Sequence, residues 1–511
     1  MHCVDGKDYS IFSILPPYNN LHAHLINKDA SSQKAVTSGV TITYEAIYDV
    51  AGSINTGASY DYLTNFWDWA KQLFGSVIAK FKGLTSNPTP STTPAAMSYN
   101  ATNGWWEATG IPVMPYDDNG LKNYYPMVNV VARSANGTLL ASTKVVLPVS
   151  DEMSCVSCHA SNSVTAAKPS GGWVNDSATE KDWKKNILKL HDEKHPTAIN
   201  DAGMSATYTN GSLLASANAG QPVLCASCHK SNALGTAQKA GIKPLTEALH
   251  SKHATVIDPS TGQSMNSSTN RDSCYKCHPG SSTKCLRGVM GEAKTATGAN
   301  AIDCQSCHGN MSAVGATGRE GWIDEPNCQQ CHDKTSTTGN FTRQTSVFAS
   351  GTTLRSTIDS RFATNANTPA SGKSLYRFSK GHGNLQCEAC HGSTHAEYPS
   401  SHVNDNVQSQ TVQGHSGTIA ECSTCHTTVP ATTAGGPHGM HPVGQNWVSS
   451  HKQAAKGNQQ ACAVCHGTDY RGSAISKTWT SRSLSVEGRT KSYAKGQMVT
   501  CYDCHNGPNG D

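Results

Sequence analysis

The sequence predicts a protein in two parts. An N-terminal β-rich, sandwich-like domain occupies residues 1–150, and residues 151–511 form a region of loops and short helices that wraps a core of bound cofactors. Strand-like segments fill the first part, and the pattern C-x-x-C-H recurs nine times in the second. Only 36% of the residues are hydrophobic and 7% are aromatic, so side chains alone give 511 residues a poor core.

The recurring pattern identifies the cofactor. C-x-x-C-H is the attachment signature for c-type haem: its two thiols form thioether bonds to the porphyrin, and its histidine is an axial ligand of the iron. The attachment cysteines are Cys155, Cys158, Cys225, Cys228, Cys274, Cys277, Cys304, Cys307, Cys328, Cys331, Cys387, Cys390, Cys422, Cys425, Cys462, Cys465, Cys501 and Cys504. The proximal histidines are His159, His229, His278, His308, His332, His391, His426, His466 and His505. The sequence therefore predicts nine haems c stacked in the core of a multihaem cytochrome c.

Other uses of paired cysteines do not explain the pattern. A disulfide framework does not need a histidine after every second cysteine. Zinc sites combine one C-x-x-C with a second pair or with histidines at other spacings. A thioredoxin-like motif occurs once in a βαβ setting, whereas this pattern uses 18 of the 20 cysteines.

Haem also changes the charge of the chain. The formal charge is +4. Eighteen propionates and nine ferric centres bring it to about −5, and full reduction brings it to about −14. No basic patch suited to nucleic acid is visible.

The N-terminal part contains specific strand and helix signals. Residues 36–48 and 125–150 have strand-like patterns, and the second stretch has a hairpin signal at "SANG". Residues 62–75 predict a short amphipathic helix, and the Pro/Thr-rich residues 84–97 predict a loop. This domain either packs against the haem region or provides a docking surface, between subunits or to a cell-surface partner.

Spacing along the haem region predicts which haems are neighbours. The motifs that start at Cys274, Cys304 and Cys328 are the closest trio, so their haems should lie near one another. Residues 180–196 and 244–254 predict helices, each with a pair of histidines close together on one face.

Fourteen histidines lie outside the motifs, enough to cap all nine irons on the distal side. The distal candidates are His22, His24, His191, His195, His250, His253, His382, His395, His402, His415, His438, His441 and His451. For the 438/441 pair either residue is a candidate, zinc binding is an alternative for a helical pair, and Met440 is a minor alternative ligand. His2 is expected to be a solvent-exposed residue.

Two histidines on every iron favour electron transfer over catalysis, because a six-coordinate iron has no open position for a substrate. The sequence predicts no catalytic residue, and it lacks the C-x-x-C-K of multihaem nitrite reductases. The alternative is a multihaem reductase of nitrogen or sulfur oxyanions in which one haem keeps an open site.

Two cysteines lie outside the motifs, Cys3 and Cys285. Haem attachment takes place in an oxidising compartment, where spare thiols tend to pair, so we expect a Cys3–Cys285 disulfide. The alternative is a pair of free or lipid-modified thiols.

Haem attachment to cysteine also implies export through the periplasm. The start, "MHCVDGKDYS", lacks the regions of a signal peptide, so we expect a processed chain. Apolar runs such as residues 73–79 fall short of the roughly 20 residues of a membrane span.

The sequence resembles the large extracellular multihaem c-type cytochromes of metal-reducing and syntrophic bacteria. The resemblance lies in the nine motifs with their surplus histidines and in stretches such as "GHGNLQCEACHGSTHAEYPSSH" and "GGPHGMHPVG". It implies long-range electron transfer at or beyond the cell surface, with other cytochromes, minerals or electrodes as electron partners. Some relatives polymerise into cytochrome filaments (nanowires), so the resemblance also implies a homo-oligomer or filament as one form.

Overall fold

The structure is a computed structural model. It describes residues 2–30, 34–58, 63–75, 77, 94–319, 332–333, 342–343, 348–350, 353–354, 377, 380–429, 441–457, 459–473, 476–478 and 480–509. No helix within these ranges is long and apolar enough to cross a membrane.

The strands are short and concentrate in the first 150 residues. They are β1 His2–Cys3, β2 Phe12–Ser13, β3 Tyr18–Ala23, β4 Val40–Ile47, β5 Ala95–Asn100, β6 Trp105–Pro112, β7 Met127–Ser134, β8 Leu139–Val146, β9 Val149–Ser150, β10 Val223–Leu224, β11 His332–Asp333, β12 Thr342–Arg343, β13 Phe348–Ser350, β14 Thr353–Leu354, β15 Arg482–Val486 and β16 Arg489–Tyr493.

Six of these strands form one antiparallel sheet with the order β3-β6-β5-β4-β7-β8. In β4, Ile42, Tyr44 and Ala46 are buried and the intervening residues are more exposed, which is the alternation of a strand with one face on a core. Within the part of residues 1–150 that the structure describes, the other strands form only two-stranded pairs. One sheet is thus established, and both the facing sheet of a sandwich and the domain boundary at residue 150 stay predictions.

The predicted hairpin at "SANG" is confirmed. Strands β7 and β8 pair from Met127 opposite Val146 to Arg133 opposite Leu139. Gly137 closes the turn with a φ of 85°, a conformation that a residue without a Cβ adopts at little cost.

The loop prediction for residues 84–97 is wrong at its end. Residues 84–93 lie outside the described part of the chain, but Ala95–Asn100 forms β5 and pairs with both β4 and β6. Pairing on two sides fixes a strand whose own sequence carries only a weak strand signal.

The helices are also short, as predicted for a chain that wraps cofactors. They are α1 Phe66–Phe74, α2 Val156–His159, α3 Thr179–Lys194, α4 Ala198–Asp201, α5 Leu213–Asn218, α6 Leu245–His253, α7 Val289–Glu292, α8 Cys304–His308, α9 Met311–Val314, α10 Cys387–His391, α11 Val403–Gln413, α12 Gln445–Ala455 and α13 Gln459–His466. Helices α1, α3 and α6 confirm the three helices that the sequence predicts. The hairpin of β15 and β16 lies inside the haem region and was not predicted.

Helix α1 is amphipathic, as its sequence predicts. It buries Phe66, Trp67, Ala70 and Leu73 on one side. Gly75 ends the helix in the left-handed conformation with a φ of 71°, and its N–H donates to the oxygen of Lys71.

The chain divides into two compact units. The first comprises Met1–Ala23, Thr37–Asp324 and His395–Thr411, and it contains the sheet and the first four haem motifs. The second comprises His24–Val36, Glu325–Thr394 and Val412–Asp511, and it contains the other five motifs.

In the first unit, Lys184 of α3 fastens the N-terminal segment. Its side chain is fully buried. The ammonium donates hydrogen bonds to the backbone oxygens of Asp5 (2.8 Å), Asp8 and Phe12 (3.4 Å), and it lies 3.6 Å from the Asp5 carboxylate. It also lies over the rings of Phe12 (5.1 Å) and Trp183 (5.2 Å). A buried charge is tolerated only when it is paired in this way.

We expect Lys184→Met to loosen this segment, because the substitution leaves the Asp5 carboxylate buried without its cation. The free energy of local opening should fall by about 3–5 kcal/mol, measured by hydrogen exchange of the amides of residues 9–15. Lys181→Met is the matched control, since Lys181 is 38% exposed and 4.0 Å from the Asp8 carboxylate. It should cost less than about 1 kcal/mol. Equal protection in both variants would contradict the role given to Lys184.

Candidate haem centres

Each C-x-x-C-H motif that the structure describes in full forms one tight turn. Motifs one, four, six and eight lie in or at the start of short α-helices, and motifs two, three, seven and nine form 3-10 turns. The histidine N–H donates back to the oxygen of the first cysteine, as in His159 to Cys155 at 3.0 Å and His505 to Cys501 at 3.1 Å. This bond brings both thiols and the imidazole to one side of the turn, where a haem needs them. Cys328 and Cys331 of the fifth motif lie outside the described residues, and its His332 belongs to β11.

Within the described part of the chain, seven motif histidines face a second histidine from elsewhere in the sequence. The pairs, with the distances between ring centres, are His159 and His253 (6.3 Å), His229 and His191 (6.5 Å), His278 and His250 (6.1 Å), His308 and His395 (6.3 Å), His426 and His382 (6.1 Å), His466 and His441 (6.3 Å), and His505 and His451 (6.1 Å).

This spacing fits one iron between the two rings. A metal–imidazole bond is about 2 Å long, so two imidazoles on opposite sides of one metal place their ring centres about 6 Å apart. Two rings in direct contact lie closer, as His191 and His195 do at 5.1 Å. The donor set also fits, because two cysteines and two histidines are the attachment and axial groups of haem c.

Seven of these fourteen imidazoles are also held in the orientation that frees Nε2. The Nδ1 atom lies at hydrogen-bonding distance from a backbone oxygen: His229 with Lys243 (2.8 Å), His250 with Thr246 (2.7 Å), His253 with Leu249 (2.7 Å), His441 with Pro442 (2.6 Å), His451 with Val448 (2.9 Å), His466 with Val499 (3.1 Å) and His505 with Gly507 (2.6 Å). A proton held on Nδ1 leaves the lone pair of Nε2 for a metal.

Burial keeps several of these rings neutral, the form that binds a metal. Burial first, and the facing histidine second, lower the pKa of His159 and of His250 to about 4 and that of His308 to about 3.

Helix α6 supplies two different centres. His250 faces His278 of the third motif and His253 faces His159 of the first. The sequence predicted both histidines on one face, and the structure directs them to two partners. On α3, in contrast, His191 faces His229 whereas His195 is exposed.

The remaining candidates have other surroundings. His22 stacks on Trp105 at 4.7 Å, and His402 packs on Tyr125 at 3.9 Å. The Nε2 atom of His24 accepts a hydrogen bond from the N–H of Gln386, directly before the sixth motif. His415 is exposed, with its Nδ1 2.9 Å from the oxygen of Ser416. His438 lies outside the described residues.

His2 corrects a sequence prediction. It was expected to be exposed, but it is 3% exposed, its Nε2 lies 2.9 Å from the oxygen of Pro16, and its ring packs on Tyr18. Burial lowers the pKa of His2 to about 4. The pairing of β1 with β9 carries this residue into the interior.

Within the first unit, the motifs contact one another. The thiols of Cys274 and Cys304 are hydrogen-bonded, which joins the third and fourth motifs. The N–H of Ser154 donates to the oxygen of Cys277 at 3.2 Å, which joins the first and third. Cys155 and Cys225 pack against one apolar cluster, so the second motif lies beside the first. This contact between Cys274 and Cys304 agrees with the prediction that the third and fourth haems are neighbours.

Similar contacts join motifs in the second unit. The N–H of Ile419, shortly before the seventh motif, donates to the oxygen of Cys390 in the sixth at 2.7 Å. Trp447 of α12 stacks on His441 at 4.6 Å and lies 6.2 Å from His451, so one indole lies beside the distal histidines of the eighth and ninth motifs.

Cys3 and Cys285 are free thiols in hydrogen-bonding contact with each other. The bond that Cys3 donates raises the pKa of Cys3 and lowers that of Cys285. The predicted Cys3–Cys285 disulfide is not formed in the structure, although the two thiols lie together. The sequence did not predict a third member of the group: the Cys285 sulfur lies 3.6 Å from Nδ1 of His395.

One family model matches the chain. It is described as outer membrane cytochrome MtrC/MtrF-like, domains II/IV, and it matches residues 147–317 and 299–474. The two stretches together cover more than half of the chain and contain the first eight haem motifs. Comparisons with curated proteins and with solved structures give no match.

Two substitutions on α6 should affect two different irons. The rings at the third centre are nearly parallel (3°) and those at the first are nearly perpendicular (77°), and ring orientation controls the anisotropy of the low-spin ferric signal. We expect His250→Ala and His253→Ala each to convert one ferric iron to high spin, quantified by electron paramagnetic resonance. The first variant should lose a rhombic signal and the second a strongly anisotropic one.

His195→Ala is the matched control for these variants, because His195 also lies next to a paired histidine on a helix but is exposed. It should leave all low-spin signals in place. Loss of the same signal in both α6 variants would show that the pairing is wrong.

Proposed function

Because the chain belongs to the outer membrane cytochrome MtrC/MtrF-like family, we propose that it transfers electrons over long distances through nine c-type haems, each with two axial histidines. The observation that carries this proposal is the set of seven facing imidazole pairs at 6.1–6.5 Å. Family membership already makes the protein an extracellular multihaem c-type cytochrome. The proposal adds the number of haems, their axial ligands and the placement of neighbouring haems close together.

We assign the ligands by position. The eighteen motif cysteines hold the porphyrins, the nine motif histidines are proximal ligands, and the distal ligands of the seven pairs are His253, His191, His250, His395, His382, His441 and His451. The unit that contains His332 and His391 also contains His24, His415 and His438, and we take these three as the candidates for the two remaining distal positions. We assign no iron to His22, His195 or His402. When bound, haem c supplies the one-electron chemistry of its iron.

The protein contributes closed coordination and a fixed ligand set. A distal imidazole opposite each proximal one leaves no position for water or a substrate. The carbonyl partners of Nδ1 hold the imidazoles in place and increase their basicity, which adjusts the reduction potential. No residue in these pairs is left to act as an acid or base, which favours transfer over catalysis.

The protein also places the centres side by side. In the first unit, contacts join the second, first, third and fourth motifs in that order, and α6 supplies ligands to two of them. In the second unit, contacts join the sixth motif to the seventh, and Trp447 lies between the distal ligands of the eighth and ninth. Contiguous one-electron centres are what long-range transfer requires.

Carbon monoxide tests the proposal, because it binds ferrous haem only at an open or weakly held position. We expect the absorption spectrum of the fully reduced protein to be unchanged by carbon monoxide. His250→Ala is the positive control and should bind about one equivalent, since it opens one centre. A stoichiometric adduct in the native protein, with turnover of nitrite, hydroxylamine or tetrathionate, would support a reductase instead.

Assembly is a separate part of the proposal. Its support is the resemblance to cytochromes that polymerise, and we propose that copies of this chain associate into a filament that contacts other cytochromes, minerals or electrodes. Electron microscopy of the native haem-loaded protein should then show continuous rods. Discrete particles with the mass of one chain would remove the filament and leave the electron-transfer proposal intact.

A further inference from the structure

The fourth centre differs from its neighbours in what lies beside its distal ligand. Seven paired histidines have a backbone oxygen at Nδ1, but His395 has the Cys285 sulfur there, at 3.6 Å. An imidazole that binds iron through Nε2 carries its proton on Nδ1, so His395 donates to this sulfur. The hydrogen-bond acceptor at this centre is therefore a thiol, which can be oxidised, whereas a backbone oxygen cannot.

The loop that carries Cys285 is fixed against the segment that carries His395. The N–H groups of Arg287 and Gly288 donate to the His395 oxygen at 2.7 and 3.1 Å. The buried Arg287 guanidinium forms a two-point ion pair with Asp405. A Cβ at Gly288 would collide with the backbone of Glu397, so the two segments approach as closely as a glycine allows. These contacts hold the sulfur beside the imidazole.

Cys3 reaches the same place from the N-terminal segment. It lies in β1, which pairs in parallel with β9, and the N–H of Val4 donates to the oxygen of Ser150 at 2.7 Å. Its thiol contacts that of Cys285. Two thiols in contact are the arrangement from which thiol–disulfide exchange forms a disulfide.

We propose that Cys3 and Cys285 form a reversible disulfide that sets the reduction potential of the fourth haem through the hydrogen bond of His395. The two thiols lose two protons and two electrons and form one S–S bond. A disulfide oxidant such as oxidised glutathione accepts these protons and electrons and is reduced to two thiols. A disulfide sulfur is a weaker acceptor than a thiol sulfur. The His395 imidazole then donates less strongly to the iron, which favours the ferrous state and raises the potential.

This inference rests on the proposed His308–His395 ligation, and its experiment separates the two. The haem-loaded protein is first equilibrated at set ratios of reduced and oxidised glutathione. One portion is alkylated with N-ethylmaleimide, and peptide mass analysis gives the fraction of free thiols. Glutathione is removed from the remaining portion. Spectroelectrochemical titration then resolves the nine one-electron components. We expect the dithiol and disulfide forms to differ in one component, which lies at higher potential in the disulfide form.

Three variants make the result specific. Cys3→Ser keeps the sulfur beside His395 but cannot form the disulfide, so it should match the dithiol form at every glutathione ratio. Cys285→Ala removes the acceptor and should raise the same component permanently. His395→Ala identifies that component, because it converts the fourth iron to high spin. If Cys285→Ala fails to load haem, the native protein and Cys3→Ser still decide the question.

Three results would overturn this inference alone. They are identical redox titrations of the dithiol and disulfide forms, a response of Cys3→Ser to the glutathione ratio, and full alkylation of both cysteines at every ratio. A high-spin iron in the native protein that His395→Ala leaves unchanged would instead overturn the ligand assignment of the proposed function.

Discussion

The structure depends on one geometric constraint, the distance of 6.1–6.5 Å between two imidazoles that face each other. That distance suits one metal with an imidazole on each side. Each pair joins segments that are remote in sequence, as His308 and His395 do. The proposed axial ligands are therefore also the tertiary contacts that bring short helices and loops together.

The same constraint explains the composition. A chain with 36% hydrophobic residues and helices of four to sixteen residues has few apolar side chains to assemble around. Haems bound at the C-x-x-C-H motifs would supply the missing apolar core. Two buried cations are paired with carboxylates, Lys184 with Asp5 and Arg287 with Asp405. Both ion pairs lie next to haem motifs or their ligands, and both fix segments that the hydrophobic effect alone would hold weakly.

The motif chemistry, helices α3 and α6 and the β7–β8 hairpin were predictable, because each is encoded within a few consecutive residues. The pairing of ligands was not. His395 follows the sixth motif by four residues but faces the histidine of the fourth, and adjacent histidines on α6 face different motifs. Such choices are made by tertiary packing, and spacing along the chain carries no signal for them. Tertiary packing also decides the formation of strand β5, the burial of His2 and the contact of Cys285 with His395. The one signal for the last of these in the sequence is that Cys285 lies outside every C-x-x-C-H motif.

The claim that every iron has two axial imidazoles is tested most directly by X-ray absorption at the iron edge of the oxidised protein. We expect six nitrogen neighbours for each iron, four from the porphyrin and two from histidine, with the scattering of two imidazole rings. An average nearer to five neighbours, or to one imidazole for each iron, would contradict it and would place an open, reactive position in this protein.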